Sequence, residues 1–250
     1  MKIFFKEFVI LIFSRSNSLR LKNKYKLSVG KYDLIEIPII RLKKIFSEKM
    51  IKLCIPSNNY EDYLDYSIKH DIEIFHGPEK DLMKRVKNNI GPYKYFIRVT
   101  GDDPLTSPEI ILKFIKCAQT YKYDYIYTES ISDGLIPEMI SKRYLNFLYP
   151  KVIDKSSSSH LSYYFIRNFK NYKKCNLFLP YQDISNISLS VDYQRDLKIL
   201  DWLLRKINFN IKLNDKKLIS LIREHKKYLN KFRKRKYFNL KTKDYDVSLK

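Results

Sequence analysis

The fold is decided by residues 95–108, which read YFIRVTGDDPLTSP. The apolar start of this segment predicts a strand over residues 95–99, and the strand stops at Gly101, two carboxylates and a proline. Ligands of an open α/β sheet bind outside the carboxyl ends of its strands. Asp102 is therefore placed where it could hold a Mg²⁺ ion carried by a nucleoside triphosphate, although Asp and Pro are also common in ordinary turns.

Strand and helix patterns alternate along the rest of the chain. The predicted strands cover residues 8–14, 51–55, 72–75, 95–99, 123–127 and 187–191. The predicted helices cover residues 60–70, 81–89, 108–120, 161–168, 193–207 and 216–229. The helix from Pro108 is well defined, because Ser107 can cap it and proline suits the first helical position. The alternation predicts an α/β protein, a three-layer α/β/α sandwich with a mostly parallel sheet.

The composition is that of a basic, single-domain protein. The chain has 250 residues, of which 44% are hydrophobic, and its 49 Lys and Arg against 27 Asp and Glu leave a formal charge of +22. Such a charge favours anionic partners, such as phosphorylated substrates, nucleic acid or anionic lipid, although coding in an AT-rich genome would also enrich lysine. We assign residues 1–222 to an α/β domain, which the resemblance described below implies to be nucleotidyltransferase-like, and residues 223–250 to a basic C-terminal tail. Nucleic acid is not the partner we expect.

The cysteines and the N-terminal segment indicate the cellular compartment in which we expect the protein. Cys54, Cys117 and Cys175 are widely spaced and form no CxxC motif, so neither a disulfide framework nor a zinc site is indicated. The apolar run over residues 8–13 is too short for a signal peptide or a membrane span. We therefore expect a cytoplasmic protein without a membrane span, with residues 8–13 forming a buried strand.

The loop after the first strand, residues 14–24, concentrates positive charge. It carries four cationic residues among small polar ones: Arg15, Arg20, Lys22 and Lys24. A triphosphate needs cationic and N–H donors arranged around its oxygens, and the carboxyl end of a strand is a natural place for them. A solvated, charged turn is the alternative.

This loop and the segment read as RVTGD-P resemble the cytidylyltransferase family. The family includes the CMP-ketodeoxyoctonate and CMP-sialate synthetases and the spore-coat polysaccharide cytidylyltransferase-like proteins. Its signature R-x-x-S-x-R-L-x-x-K is matched in register by Arg15, Ser18, Arg20, Leu21 and Lys24. The resemblance implies that Arg15, Ser18, Arg20 and Lys24 grip the phosphates of CTP. The usual Gly and Pro of this loop are missing, which reduces the freedom of the backbone to approach phosphate.

Two further segments resemble the family's nucleotide and metal positions. Residues 76–85 resemble G-x-x-x-D-(V/L)-L-x-R, so Arg85 could reach a phosphate or the base, or simply pair with Asp81 one turn away. Residues 188–197 resemble R-L-T-V-D-T-P-E-D-L, and Asp192 falls on an acidic position at a strand end that helps to bind metal. Asp192 could also cap the helix that follows it.

This sequence matches the family less closely at the residues that form the acceptor-sugar site. Residues 133–138, DGLIPE, resemble the family's DGLDVE segment, which implies that Asp133 and Glu138 shape the site of the acceptor sugar. His160 falls on the family's Glu-His pair, with Ser159 where Glu is usual, and is a candidate substrate-binding residue. A structural role for this histidine is the alternative.

Together the resemblances imply cytidylyl transfer from CTP to an acidic or amino sugar for surface polysaccharide, with release of pyrophosphate. Arg15, Arg20, Lys24 and Asp102 would be catalytic, and Asp102 and Asp192 would hold Mg²⁺. Enzymes of this family are often dimers, so the resemblance also implies a homodimer. Two alternatives stay open: a metal-dependent glycosyltransferase that uses a sugar nucleotide, and a degenerate member that only binds nucleotide or polyanion.

Overall fold

The computed structural model describes residues 2–152, 161–165 and 170–230. Its strands, numbered in chain order, are β1 (Phe8–Phe13), β2 (Ser28–Val29), β3 (Tyr32–Asp33), β4 (Ile51–Pro56), β5 (Glu73–Gly77), β6 (Tyr95–Thr100), β7 (Tyr125–Tyr127), β8 (Glu138–Ser141) and β9 (Lys174–Asn176). Its helices are α1 (Glu36–Leu42), α2 (Tyr60–His70), α3 (Leu82–Asn89), α4 (Pro108–Tyr121), α5 (Lys142–Leu148), α6 (Leu161–Phe165), α7 (Gln194–Arg205), α8 (Asp215–Glu224) and α9 (Lys226–Leu229).

Seven of these strands form one mostly parallel sheet in the order β5-β4-β1-β6-β8-β7-β9. Only β8 runs against its neighbours, β6 and β7, while β2 and β3 form a separate small antiparallel pair. Strands β1 and β6 pair over six residues, from Phe8 beside Tyr95 to Phe13 beside Thr100. The loops that leave these two strands therefore begin side by side.

Both faces of the sheet are covered, as the sequence predicts for a three-layer sandwich. All six residues of β1 are buried, and successive side chains of a strand point to opposite faces. Phe8, Ile10 and Ile12 belong to one apolar cluster, whereas Val9 and Leu11 belong to a second cluster on the other face. The α/β class and the mostly parallel sheet are confirmed.

The start of α4 agrees with the sequence in its details. The Ser107 hydroxyl accepts a hydrogen bond of 2.9 Å from the backbone N–H of Ile110, and Pro108 occupies the first helical position. The helix ends where Lys122 adopts a left-handed backbone with φ of 55°. The cap and the proline are local in the chain, which is why the sequence alone predicts where this helix begins.

The predicted strand over residues 187–191 is wrong. The segment forms isolated bridges instead of a strand, among them one between Asp133 and Ser188. Its alternation of apolar residues reflects a buried loop, because Ile187 and Val191 are fully buried in the core without joining the sheet. The two strands that complete this half of the sheet, β8 and β9, are missing from the prediction.

The C-terminal third agrees with the sequence in part. The predicted helix 216–229 is broken at His225 into α8 and α9, and Leu229 is buried, so packed structure continues past residue 222. Residues 231–250, His160 and the serine run 156–159 lie outside the described residues, and the division into domain and tail stays a prediction. Within the described ranges, no helix is long and apolar enough to cross a membrane.

Candidate active site

A cavity of about 670 Å³ opens at the carboxyl ends of β1 and β6. The two strand ends are joined there, since the N–H of Gly101 donates to the carbonyl oxygen of Phe13 over 2.8 Å. The residues that line the cavity come from the ends of β1 and β6, from the loops after β1, β5 and β6, and from α3: Phe13, Ser14, Arg15, Ser18, Leu19, Arg20, Lys24, Tyr25, Glu79, Lys80, Leu82, Arg85, Arg98, Thr100, Gly101 and Asp102. The cationic loop predicted from the sequence therefore forms one wall of this cavity.

Lys24 lies at the centre of an acidic pair. Its ammonium group donates to Asp102 Oδ2 at 2.7 Å and lies 3.4 Å from Asp192 Oδ1. The side chains of Lys24, Asp102 and Asp192 expose 12%, 24% and 10% of their surface, so the cluster is largely shielded from water. Two acids that are far apart in the sequence thus meet around one cation from the first loop.

Arg20 approaches the same cluster from outside. Its guanidinium spans both carboxylate oxygens of Asp192, at 3.2 Å and 3.0 Å, and lies 5.8 Å from the centre of the Tyr193 ring. More than half of the Arg20 side chain is exposed, so it remains accessible at the mouth of the cavity. Arg15 and Ser18 line the cavity beside it.

Asp192 is held by the start of α7 and does not cap that helix. The carboxylate of Asp196 accepts hydrogen bonds of 2.9 Å from the backbone N–H groups of both Asp192 and Tyr193. The carboxylate of Asp192 contacts Arg20 and Lys24. The N-cap position of α7 is Tyr193, whose N–H is bound by Asp196 at the third helical position, so Asp192 is not the cap considered from the sequence.

The neighbouring acid, Asp103, has a different environment from Asp102. It accepts a hydrogen bond from the Ser190 hydroxyl, and it lies close to the carboxylates of Asp102 and Asp133. Burial, reinforced by these two like charges, raises the pKa of Asp103 well above its usual range. Asp133 itself is fixed by its backbone, which bonds to Ile187 and Leu189 in the bridge described above.

Glu138 takes part in a buried hydrogen-bond network. Its carboxylate accepts from Arg98 Nη1 at 2.6 Å and from the hydroxyl of Tyr125. Glu138 is buried, while Arg98 lines the cavity, so the glutamate acts on the cavity through the arginine. The sequence interpretation omitted Arg98, although a charged residue inside the apolar strand FIRVT is a signal that could have found it.

Arg85 organises the loop after β5. Its guanidinium donates to the carbonyl oxygens of Pro78, Glu79 and Cys54, at distances from 2.8 to 3.3 Å. The guanidinium does not pair with the carboxylate of Asp81, which caps α3 and accepts from the hydroxyl of Tyr149. Arg85 meets Asp81 through the backbone, where its N–H donates to the Asp81 carbonyl oxygen over 3.1 Å. The ion pair considered from the sequence is thus replaced by bonds to the backbone of the cavity wall.

The acidic pair has a donor set that suits a divalent cation. Asp102 and Asp192 already contact one shared cation, and Mg²⁺ in proteins is commonly bound by one or two carboxylates, with phosphate oxygens and waters completing its shell. No group of three or more His, Cys, Asp or Glu side chains in the described part of the chain is arranged to hold a metal. A metal at this pair would therefore take its remaining ligands from water or substrate.

A parallel sheet with a cationic loop after β1 and acids after β6 defines a nucleotidyltransferase-like α/β protein. A model described as Cytidylyltransferase matches residues 9–238. The chain belongs to the cytidylyltransferase family, and its enzyme class is that of the CTP-dependent nucleotidyltransferases.

Two curated proteins are similar to this chain in sequence. An uncharacterized protein of Methanocaldococcus jannaschii is 31% identical over 195 residues, which cover 76% of this chain and 79% of the relative. The spore coat polysaccharide biosynthesis protein SpsF of Bacillus subtilis is 23% identical over 225 residues, which cover 86% and 94%.

Solved structures share the fold. A cytidylyltransferase from Leptospira borgpetersenii superposes with a TM-score of 0.81 at 18% identity, covering 93% of this chain and 99% of the other. A CMP:2-keto-3-deoxy-manno-octonic acid synthetase complexed with CTP gives 0.58 at 10% identity, covering 81% and 100%. Rv0371C of Mycobacterium tuberculosis, in complex with manganese, gives 0.56 at 10% identity, covering 78% and 98%.

Proposed function

We propose that this enzyme transfers CMP from CTP to a hydroxyl group of an acidic or amino sugar used in surface polysaccharide, and releases pyrophosphate. The observation that carries the proposal is the meeting of Lys24, Asp102 and Asp192 at a cavity lined by Arg15 and Arg20. The name of the Bacillus subtilis relative, a spore coat polysaccharide biosynthesis protein, supports the acceptor class. The CTP bound to the octonic acid synthetase supports the choice of nucleotide.

In this reaction the acceptor oxygen forms a bond to the α-phosphorus of CTP while the bond from that phosphorus to the bridging oxygen breaks. The electron pair of the broken bond leaves with pyrophosphate, and the hydroxyl proton passes to solvent. Negative charge therefore grows on the leaving group. Arg15, Arg20 and Lys24 would bind the β- and γ-phosphates and stabilise that charge, because preorganised cations act where charge develops.

Asp102 and Asp192 would hold the divalent cation, which we propose to be Mg²⁺. Such an ion neutralises charge on the phosphates and helps to orient them. The manganese in the complex of the Mycobacterium tuberculosis neighbour supports the use of a divalent ion. The shielding of both carboxylates from water would strengthen their hold on a cation.

The nucleotide and acceptor would occupy different parts of the cavity. We propose that Ser18 and the loop held by Arg85 contact the nucleotide. Asp133 and Glu138 would shape the acceptor side, with Glu138 acting by positioning Arg98. His160, which lies outside the described residues, keeps its proposed role in binding the acceptor.

The proposal is tested by measuring pyrophosphate release with each nucleoside triphosphate, Mg²⁺ and a panel of acidic and amino sugars. We expect release only with CTP and one class of sugar. Release of a nucleoside diphosphate from a sugar nucleotide would instead show a glycosyltransferase. No release in any combination, with no effect of CTP on the melting temperature, would show a degenerate member, because a ligand that binds the native state raises that temperature.

A further inference from the structure

Lys24 uses all of its hydrogen-bonding capacity within the acidic pair. A lysine ammonium group has three N–H donors and no acceptor. Three acceptors surround it here: Asp102 Oδ2 at 2.7 Å, the carbonyl oxygen of Val191 at 2.8 Å and Asp192 Oδ1 at 3.4 Å. The ammonium group is therefore bound as a cation in a three-oxygen site.

This arrangement sets Lys24 in competition with any metal. The two carboxylates proposed to hold a divalent ion are the two that Lys24 contacts, and a second cation brought to them would be repelled by the ammonium charge. The repulsion is weakly screened, since only 12% of the Lys24 side chain is exposed. A free divalent ion must therefore displace Lys24 before it can use both acids.

The backbone around Lys24 is fixed, but its side chain is able to relocate. Lys24 begins a short 3₁₀ turn, Lys24–Lys26, whose hydrogen bonds run from Lys26 N to Asn23 O and from Leu27 N to Lys24 O. The four-carbon stem of lysine rotates freely, so the ammonium group can move between acceptors without rebuilding the loop. A triphosphate in the cavity would offer it new anionic oxygens.

We infer that Lys24 acts as an internal cation that keeps divalent metal out of the nucleotide-free site, so that the metal enters together with the nucleotide. The inference rests on the proposed function, because it takes the cavity to be the triphosphate site. When the nucleotide binds, its phosphates attract the ammonium group of Lys24, and the metal takes the place of that group at the two carboxylates. Metal and nucleotide therefore favour each other's binding, and this coupling is reciprocal.

The test measures binding of Mn²⁺ alone, without nucleotide, by the loss of the electron paramagnetic resonance signal of free Mn²⁺. Wild-type protein is compared with Lys24→Gln and with Lys22→Gln, an exposed cation of the same loop. We expect Lys24→Gln to bind Mn²⁺ at least about tenfold more tightly, since a hydrogen bond to a charged group contributes that much. Lys22→Gln should match wild type, and adding Asp102→Asn to Lys24→Gln should abolish the gain.

Three results would overturn the inference: equal Mn²⁺ affinity in wild type and Lys24→Gln, an equal gain in Lys22→Gln, or a gain that survives Asp102→Asn. Lys24→Ala serves as a second variant, and circular dichroism confirms that each variant is folded. Because no nucleotide is present, these outcomes are independent of the pyrophosphate assay. If the wild-type protein releases pyrophosphate from CTP but one of these three results is obtained, the proposed function stands and the proposed role of Lys24 is wrong.

Discussion

The backbone N–H of Val191 donates a hydrogen bond of 2.8 Å to the carbonyl oxygen of Asp102. This bond joins the loop after β6 to the segment before α7, directly beside the two carboxylates. It does not depend on the charge of either side chain. The geometry of the acidic pair is therefore set by the fold, and substitutions of the acids should change the chemistry more than the structure.

Replacing Asp102 with Ala should slow turnover by roughly 10²–10³, the usual loss when one positioned electrostatic group is removed. The rate of pyrophosphate release under saturating CTP measures this. Asp201→Asn, which alters a partly exposed acid paired with Arg205 on α7, is the control for a general change in charge. A folded Asp102→Ala enzyme with an unchanged rate would exclude Asp102 from the mechanism.

Replacing Arg20 with Ala should weaken binding of CTP more than binding of the acceptor, because Arg20 lines the cavity proposed to hold the triphosphate. Calorimetry with each ligand separately measures the two affinities. Arg195→Ala is a matched control: its guanidinium also lies beside the Tyr193 ring, at 5.3 Å, but its ion pair is with Asp196. A larger loss for the acceptor than for CTP would be evidence against the assigned role.

Replacing Gly134 with Ala should lower both the melting temperature and the affinity for CTP. Gly134 has a φ of 88°, and an added Cβ would lie 2.6 Å from the carbonyl carbon of Leu189, so the bridged loop that leads to Asp192 must move. Gly91→Ala is the control, since Gly91 also has positive φ but an added Cβ there would lie 3.8 Å from Asn89 O, an ordinary contact. Both variants should lose about 1 kcal/mol from backbone strain. Equal CTP affinity in the two variants would show that the bridge does not position the site.

Replacing Asp103 with Asn should stabilise the protein at neutral and alkaline pH. The raised pKa of Asp103 means that the folded state favours the protonated carboxyl. Stability is therefore lost as the pH rises from the ordinary value of 3.8 through the raised pKa, and the amide avoids this loss. At pH 8 we expect the melting temperature of Asp103→Asn to exceed that of wild type by about 2–4 °C for each kcal/mol gained in the free energy of unfolding. This difference should shrink as the pH is lowered toward 4. A gain that is constant with pH would point to packing instead of ionisation.

Local signals and long-range contacts explain which features the sequence could predict. Strand β1 is a continuous apolar run, β4 and β6 are apolar runs that each contain one charged residue, and α4 carries its own cap and proline, so each is encoded within a few residues. Strand β8 begins at Glu138, a charged residue that becomes acceptable in a sheet only because Arg98 and Tyr125 lie opposite. No pattern within residues 138–141 contains that information.

The same distinction applies to the site. The spacing of the first loop and the acids after β6 identified Arg20, Lys24 and Asp102, which the structure places at one cavity. The part played by residues 187–191 was misjudged, because a buried loop and a strand share the same alternation of apolar side chains. A shared metal site predicts that Asp102 and Asp192 lie together beside the first loop, as the structure places them. The direct contact of Lys24 with both acids depends on three distant loops and was not predicted.

The most direct measurement of the central claim is the position of the metal in a crystal of the enzyme with CTP and Mn²⁺, located by anomalous diffraction. The account predicts a peak in contact with the carboxylates of both Asp102 and Asp192, with the triphosphate against Arg15 and Arg20 and the Lys24 ammonium moved to a phosphate oxygen. A peak bound elsewhere, with Lys24 still between the two acids, would contradict it.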